Sequence, residues 1–143
     1  MTRVDFYVLP DTDVARRTEF ACRLTDKAFR AGHRIYLHTR DQAAAESLDA
    51  LLWSFRPQAF IPHGLVGSDS AQQVAIGWGD EPEEEPGQHR EIMINLDLSV
   101  PGFVGRFERV CEVVVQDPGI RDPLRESWKR YQHFGYPLHK QVL

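Results

Sequence analysis

Apolar residues change period along this chain, and the changes mark its elements. Residues 3 to 9 (R-V-D-F-Y-V-L) combine β-branched and aromatic side chains and end at Pro10, which predicts a first strand. From 14 to 31 the period lengthens to that of a helix, with Phe20, Leu24, Ala28 and Ala31 on one stripe, cap candidates at Asp11 to Asp13 and Gly32 as the stop. Residues 34 to 38 (R-I-Y-L-H) predict a second strand, and Thr39 with Gln42 matches a capping box that would launch a helix over about 41 to 54. Val74 to Trp78, 91 to 96 (E-I-M-I-N-L) and 110 to 115 (V-C-E-V-V-V) predict further strands. The segment 91 to 96 is apolar enough to be central, and P-G-F-V-G-R-F-E-R leaves room only for a short helix.

Strand and helix in alternation with short loops predict an α/β fold. The expectation is a single three-layer domain over residues 1–143, with a mixed, largely parallel sheet like that of nucleotide-binding folds. The phosphate loop of such folds is missing, because neither G-L-V-G at Gly64 to Gly67 nor G-W-G at Gly77 to Gly79 supplies a phosphate-cradling spacing. No cofactor is expected.

One aromatic breaks the amphipathic pattern. In L-D-A-L-L-W-S-F-R-P-Q-A-F-I-P-H, about 100° per residue puts Ala44, Leu48, Leu51, Leu52 and Phe55 on one stripe and Trp53 roughly 140° from Leu48. Trp53 therefore faces away from the core. With the apolar turn Phe60, Ile61, Pro62 and His63 it forms a platform suited to a protein partner, since aromatics bury large area at small rotamer cost. The alternative is ordinary core, with a loop over Trp53.

The last helix is expected to start at Asp122 as N-cap with Pro123 in its first position and to stop at Gly135. Leu124, Trp128, Tyr131 and Phe134 would form its apolar stripe. Arg125 and Lys129, four residues apart, share a face, and Arg121 adds a third cation beside the start. Cations bordering an aromatic suit an acidic peptide that ends in a hydrophobic residue. A solvated basic face balanced by Glu126 is the plainer alternative.

Composition narrows the classes. The net charge of −4 argues against affinity built on phosphate neutralisation, so contact with DNA is expected mainly through partners. No apolar run suggests a signal peptide or membrane span, and the expected location is cytoplasmic. Cys22 and Cys111 read as buried free thiols, and the run D-E-P-E-E-E-P-G as a solvated surface loop. His33, His38, His63 and His89 specify no metal geometry. The alternative function is a small-molecule hydrolase or other α/β enzyme using Asp5 and Asp97, should they converge at the sheet edge.

Taken together, F-Y-V-L, L-D-A-L-L-W, F-I-P-H, E-I-M-I-N-L and R-E-S-W-K-R-Y before F-G-Y make the chain similar, over nearly its whole length, to the chi subunits of bacterial DNA polymerase III holoenzyme. That resemblance implies a non-catalytic clamp-loader accessory. Such a subunit binds the psi subunit and also the acidic C-terminal tail of single-stranded DNA-binding protein. It implies psi contact by Trp53, Phe60, Pro62 and His63, on a surface that an XPD-related helicase shares in some bacteria. It implies tail recognition by Arg125, with Arg121 where the family can carry lysine, Trp128 where it can carry tyrosine, and Lys129 beside it. The acidic run Asp80 to Glu85 departs from the basic composition this region can have.

Overall fold

The computed structural model describes residues 1–55, 61–66, 73–79 and 90–143. Seven strands form one sheet: β1 (Arg3–Val8), β2 (Ile35–Thr39), β3 (His63–Leu65), β4 (Val74–Trp78), β5 (Ile92–Asn95), β6 (Arg109–Val114) and β7 (Leu138–Val142). Among the described residues three helices accompany it, α1 (Val14–Arg30), α2 (Gln42–Ser54) and α3 (Pro118–His133), with a 3-10 turn at Val104–Arg106. The spatial order is β3-β4-β2-β5-β6-β1-β7. The expected α/β layering and largely parallel sheet are borne out, and each of the six ladders is parallel.

The order follows from where each crossover goes. After β1, α1 carries the chain over the places that β6 and β5 later fill, and α2 carries it onward from β2 toward the β3 edge. α3 leaves β6 and returns at β7, on the far side of β1. It therefore spans β1, on the face opposite α1 and α2.

Strand alternation separates two apolar cores. Ile35, Leu37, Ile92, Ile94 and Cys111 meet Ala21 and Cys22 of α1 and Ala45, Leu48 and Leu52 of α2. Val4, Phe6, Tyr36, Met93 and Val110 meet Ile120, Leu124 and Tyr131 of α3, together with Phe103 and Phe107 around the 3-10 turn. β5 sits fourth of seven strands and is buried along its length, as its apolar run predicts. Cys22 and Cys111 are both buried free thiols, each pushed up to about 12 chiefly by desolvation.

Three local expectations are corrected. Thr39 does not cap α2: its hydroxyl donates to Gly77 O (2.9 Å), and Asp41 is the N-cap, accepting from Ala44 N (2.8 Å). The last helix starts five residues earlier than expected. The sequence holds two Asp-Pro pairs, and the chain uses Asp117 as N-cap with Pro118 in the first turn, leaving Pro123 inside the helix. Phe134 does not join the apolar stripe but is the C-cap, 59% exposed. At that end Gly135 takes φ +82, and the amides of Gly135 and Tyr136 donate to Gln132 O and Tyr131 O. This left-handed turn aims the chain back along β1 as β7.

β3 and β7 were not expected. His63–Leu65 is too short to show a period, and His63, read as part of a turn, is instead its first residue. β7 is an edge strand whose residues are largely exposed, so little hydrophobic alternation marks it.

A buried polar cluster fastens α3 to the sheet. Tyr131 Oη donates to Glu112 Oε2 (2.6 Å), as does Asn95 Nδ2 (2.9 Å), which also reaches Ser99 O (3.0 Å). Desolvation pushes the Glu112 carboxyl up to about 7, against the lowering effect of the Tyr131 and Asn95 bonds. A raised folded-state value means that the native chain holds a proton which the unfolded chain releases. The resulting stabilisation is complete below about 4.5 and is lost as pH rises toward and through about 7. Urea titrations of the wild type at pH 5 and pH 8 should therefore differ by up to about 3 kcal/mol from this group. Glu112→Gln, which mimics the protonated form, should flatten the difference; equal pH slopes in the two proteins would refute the assignment.

Candidate binding surfaces

The first candidate site lies along α3. Because this helix begins at Pro118, Arg121 belongs to its first turns, and Asp122 stands on the helix surface between Arg121 and Arg125. Arg121 Nε lies 3.3 Å and Arg125 Nη1 3.8 Å from Asp122 Oδ1, while Lys129 Nζ lies 3.2 Å from Glu126 Oε1. Arg125, Lys129 and both carboxylates are well exposed, so water screens these pairs and they hold the cations only weakly. An incoming carboxylate can therefore compete for the guanidinium.

Trp128 supplies the apolar edge beside these cations. Its ring meets that of Phe6 edge to face, with centroids 5.0 Å apart, and Phe6 in turn meets Tyr131 at 6.0 Å. Between α3 and the strands opens a groove of about 810 Å³. Phe6, Val8 and Val114 line it from the sheet, Leu124 and Trp128 from the helix, and Arg121, Arg125 and Lys129 add its positive charge. Arg121, Arg125, Trp128 and Lys129 thus line one groove. Lys140 of β7 also lines the groove, and sequence reading missed it because β7 itself carried no signal.

The second candidate site is at the end of α2. Leu48 and Leu52 are buried and Leu51 and Phe55 partly so, whereas Trp53 is 49% exposed, as the helical angle predicts. Its ring packs on that of His63, centroids 4.3 Å apart. His63 is buried, with Nδ1 2.6 Å from Ile61 O and Nε2 3.0 Å from Asp49 O, and this clamps the start of β3 against α2. Ile61 is buried and Pro62 half-buried. Phe60 and the acidic run 80 to 85 lie outside the described residues.

Asp5 and Asp97 do not converge. Asp5 is level with Cys111 and hence with Ile94, so Asp97 lies three residues farther along and two strands across, on the order of 14 Å away. Asp5 accepts from Arg3 (2.9 Å) and Arg109 (2.6 Å), and Asp97 accepts from Leu98 N (2.7 Å) in the turn after β5. Both carboxylates are thus engaged structurally. A second cavity, of about 430 Å³, opens where the N-terminal ends of α1 and α2 meet the loop after β5, and its lining is mostly apolar. Its buried Arg17 donates to Val113 O (2.8 Å) and Leu96 O (3.0 Å), tying main chain together. Among the described residues no group of three or more His, Cys, Asp or Glu could hold a metal, and no helix is long and apolar enough to cross a membrane.

Comparison with known proteins shows the family. The family model described as DNA polymerase III chi subunit, HolC, matches residues 1–139. A protein named DNA polymerase III subunit chi from Pseudomonas aeruginosa is 51% identical over 143 residues, covering 100% of this chain and 98% of its own. Proteins of the same name from Haemophilus influenzae and Escherichia coli are 27% and 28% identical, covering 93% and 97% of this chain and 92% and 97% of their own.

Proposed function

The chain belongs to the DNA polymerase III chi-subunit family, and we propose on that premise that its two exposed surfaces divide the work of bridging. As a member of the family it is a non-catalytic accessory subunit that links the clamp loader to single-stranded DNA-binding protein. The α3 groove receives the acidic C-terminal tail of that protein, and the Trp53 surface docks psi.

The single observation that carries the tail assignment is the groove itself. It sets Arg121, Arg125 and Lys129 beside an apolar floor of Phe6, Val8 and Trp128, in a chain whose net charge is −4. Local positive charge held against the overall sign suits a short acidic segment better than a nucleic-acid backbone, whose many phosphates would meet repulsion elsewhere. The apolar floor accommodates a terminal hydrophobic side chain. Arg125 and its neighbours pair with tail carboxylates, the guanidinium by its planar fork. The chain works as one unit over 1–143, in the cytoplasm, and meets DNA mainly through its partners.

For psi, the support is a half-exposed tryptophan held by a buried histidine at the end of α2, with Pro62 beside it. A preorganised aromatic loses little entropy on docking. Phe60, two residues before Pro62 in the sequence, is assigned to psi contact with them by the family resemblance, and an XPD-related helicase, where a host has one, would compete with psi.

Calorimetric titration with the tail peptide of the host's single-stranded DNA-binding protein tests the tail site. The expected result is saturable one-to-one binding that collapses when the peptide's final residue is deleted, because the floor then goes unfilled. Equal binding of the intact and shortened peptides would show that only diffuse charge attraction is at work.

A further inference from the structure

We propose that Lys140, on the edge strand β7, is a fourth cation of the tail groove, gripping a carboxylate of the peptide other than the one held by Arg125. The proposal rests on the reading of α3 as the tail site and extends it to the opposite wall. Lys140 is paired in register with Phe6 across the β1–β7 ladder. Residues paired in this way project to the same side of a sheet, and Phe6 projects toward α3, where it meets Trp128 and Tyr131. The Lys140 side chain thus rises beside the groove floor, facing the helix, and lines the cavity.

Its electrostatic setting differs from that of the helix cations. Arg121, Arg125 and Lys129 each have a carboxylate of α3 within 4 Å, either Asp122 or Glu126. Those two acids partly cancel the helix wall and repel the carboxylates of an acidic ligand. Lys140 lines the groove but makes no ion pair among the described residues. An extended peptide projects successive side chains to opposite sides. With its apolar end on Phe6 and Trp128, such a peptide offers carboxylates to both walls, and one wall of cations cannot satisfy them all. The strand wall is therefore what makes the groove select a peptide with more than one acid over a lone terminal carboxylate.

The test uses the full chain and the tail peptide of the host's single-stranded DNA-binding protein, together with a series in which each acidic residue is replaced in turn by its amide. Lys140 is exposed on an edge strand, so Lys140→Ala should fold and melt like the wild type. Its affinity should fall about 3- to 10-fold, with Lys140→Arg close to wild type. One amide substitution should cost several-fold in the wild type and almost nothing in Lys140→Ala, and the same substitution should keep its full cost in Arg125→Ala. Unchanged affinity of Lys140→Ala, or amide costs identical in Lys140→Ala and wild type, overturns the proposal while leaving the tail site standing if Arg125→Ala still weakens binding. A wild-type chain that does not bind the peptide overturns both.

Discussion

Arg125→Ala is expected to weaken binding of the single-stranded DNA-binding protein tail at least tenfold, about 1.4 kcal/mol or more, while leaving the fold and psi binding unchanged. The magnitude follows from the environment. In the free protein the Arg125 side chain is 67% exposed and only loosely paired with Asp122, so truncation removes little that stabilises the fold. In the complex the guanidinium would lie at the edge of the apolar floor made by Phe6 and Trp128, where less water competes and a charge-assisted hydrogen bond contributes more. Arg125→Lys should fall between the two, since it keeps the charge but loses the planar fork. Calorimetry on variants with matching melting curves decides the matter. Unaltered affinity in a folded Arg125→Ala protein would exclude the residue from the site.

Trp53→Ala should abolish co-purification with psi, at a loss of about 2 kcal/mol or more, roughly 30-fold in affinity, as is usual for an aromatic anchor. Tail binding should persist, because Trp53 sits at the end of α2, on the α1 and α2 side of the sheet, whereas the groove is on the α3 side. The indole is already half in water and packs on the ring of His63, so its removal should unsettle the core only slightly. Trp53→Phe should retain part of the affinity by keeping an aromatic on the same histidine. Joint loss of psi and tail binding would instead indicate a damaged scaffold, and intact psi capture by Trp53→Ala would remove this residue from the interface.

The two candidate surfaces could be read from residues because both depend on helical angle, which is local. Trp53 is off the apolar stripe by simple rotation, and Arg125 and Lys129 share a face by their spacing of four. Cap chemistry was less legible. Asp117-Pro118 and Asp122-Pro123 are equally good start signals, and the helix takes the earlier one, from which Ile120 also reaches the core. The choice changes the chemistry, since it turns Asp122 from a cap into the carboxylate that neighbours Arg121 and Arg125.

The chain's own order of residues determined the alternation of strand and helix, the buried character of β5, and the two residue sets that make the candidate surfaces. Those features arise from side-chain period and local geometry, which act over a few residues at a time. Tertiary structure alone decided that β7 lies beside β1, that α3 crosses β1 so that Phe6 floors the groove, and that Lys140 lines the same groove as Arg125. It alone also separated Asp5 from Asp97. The reason is physical: a crossover's destination and an exposed edge strand are selected by which surfaces can be buried together, and that free energy belongs to contacts between residues far apart in the chain.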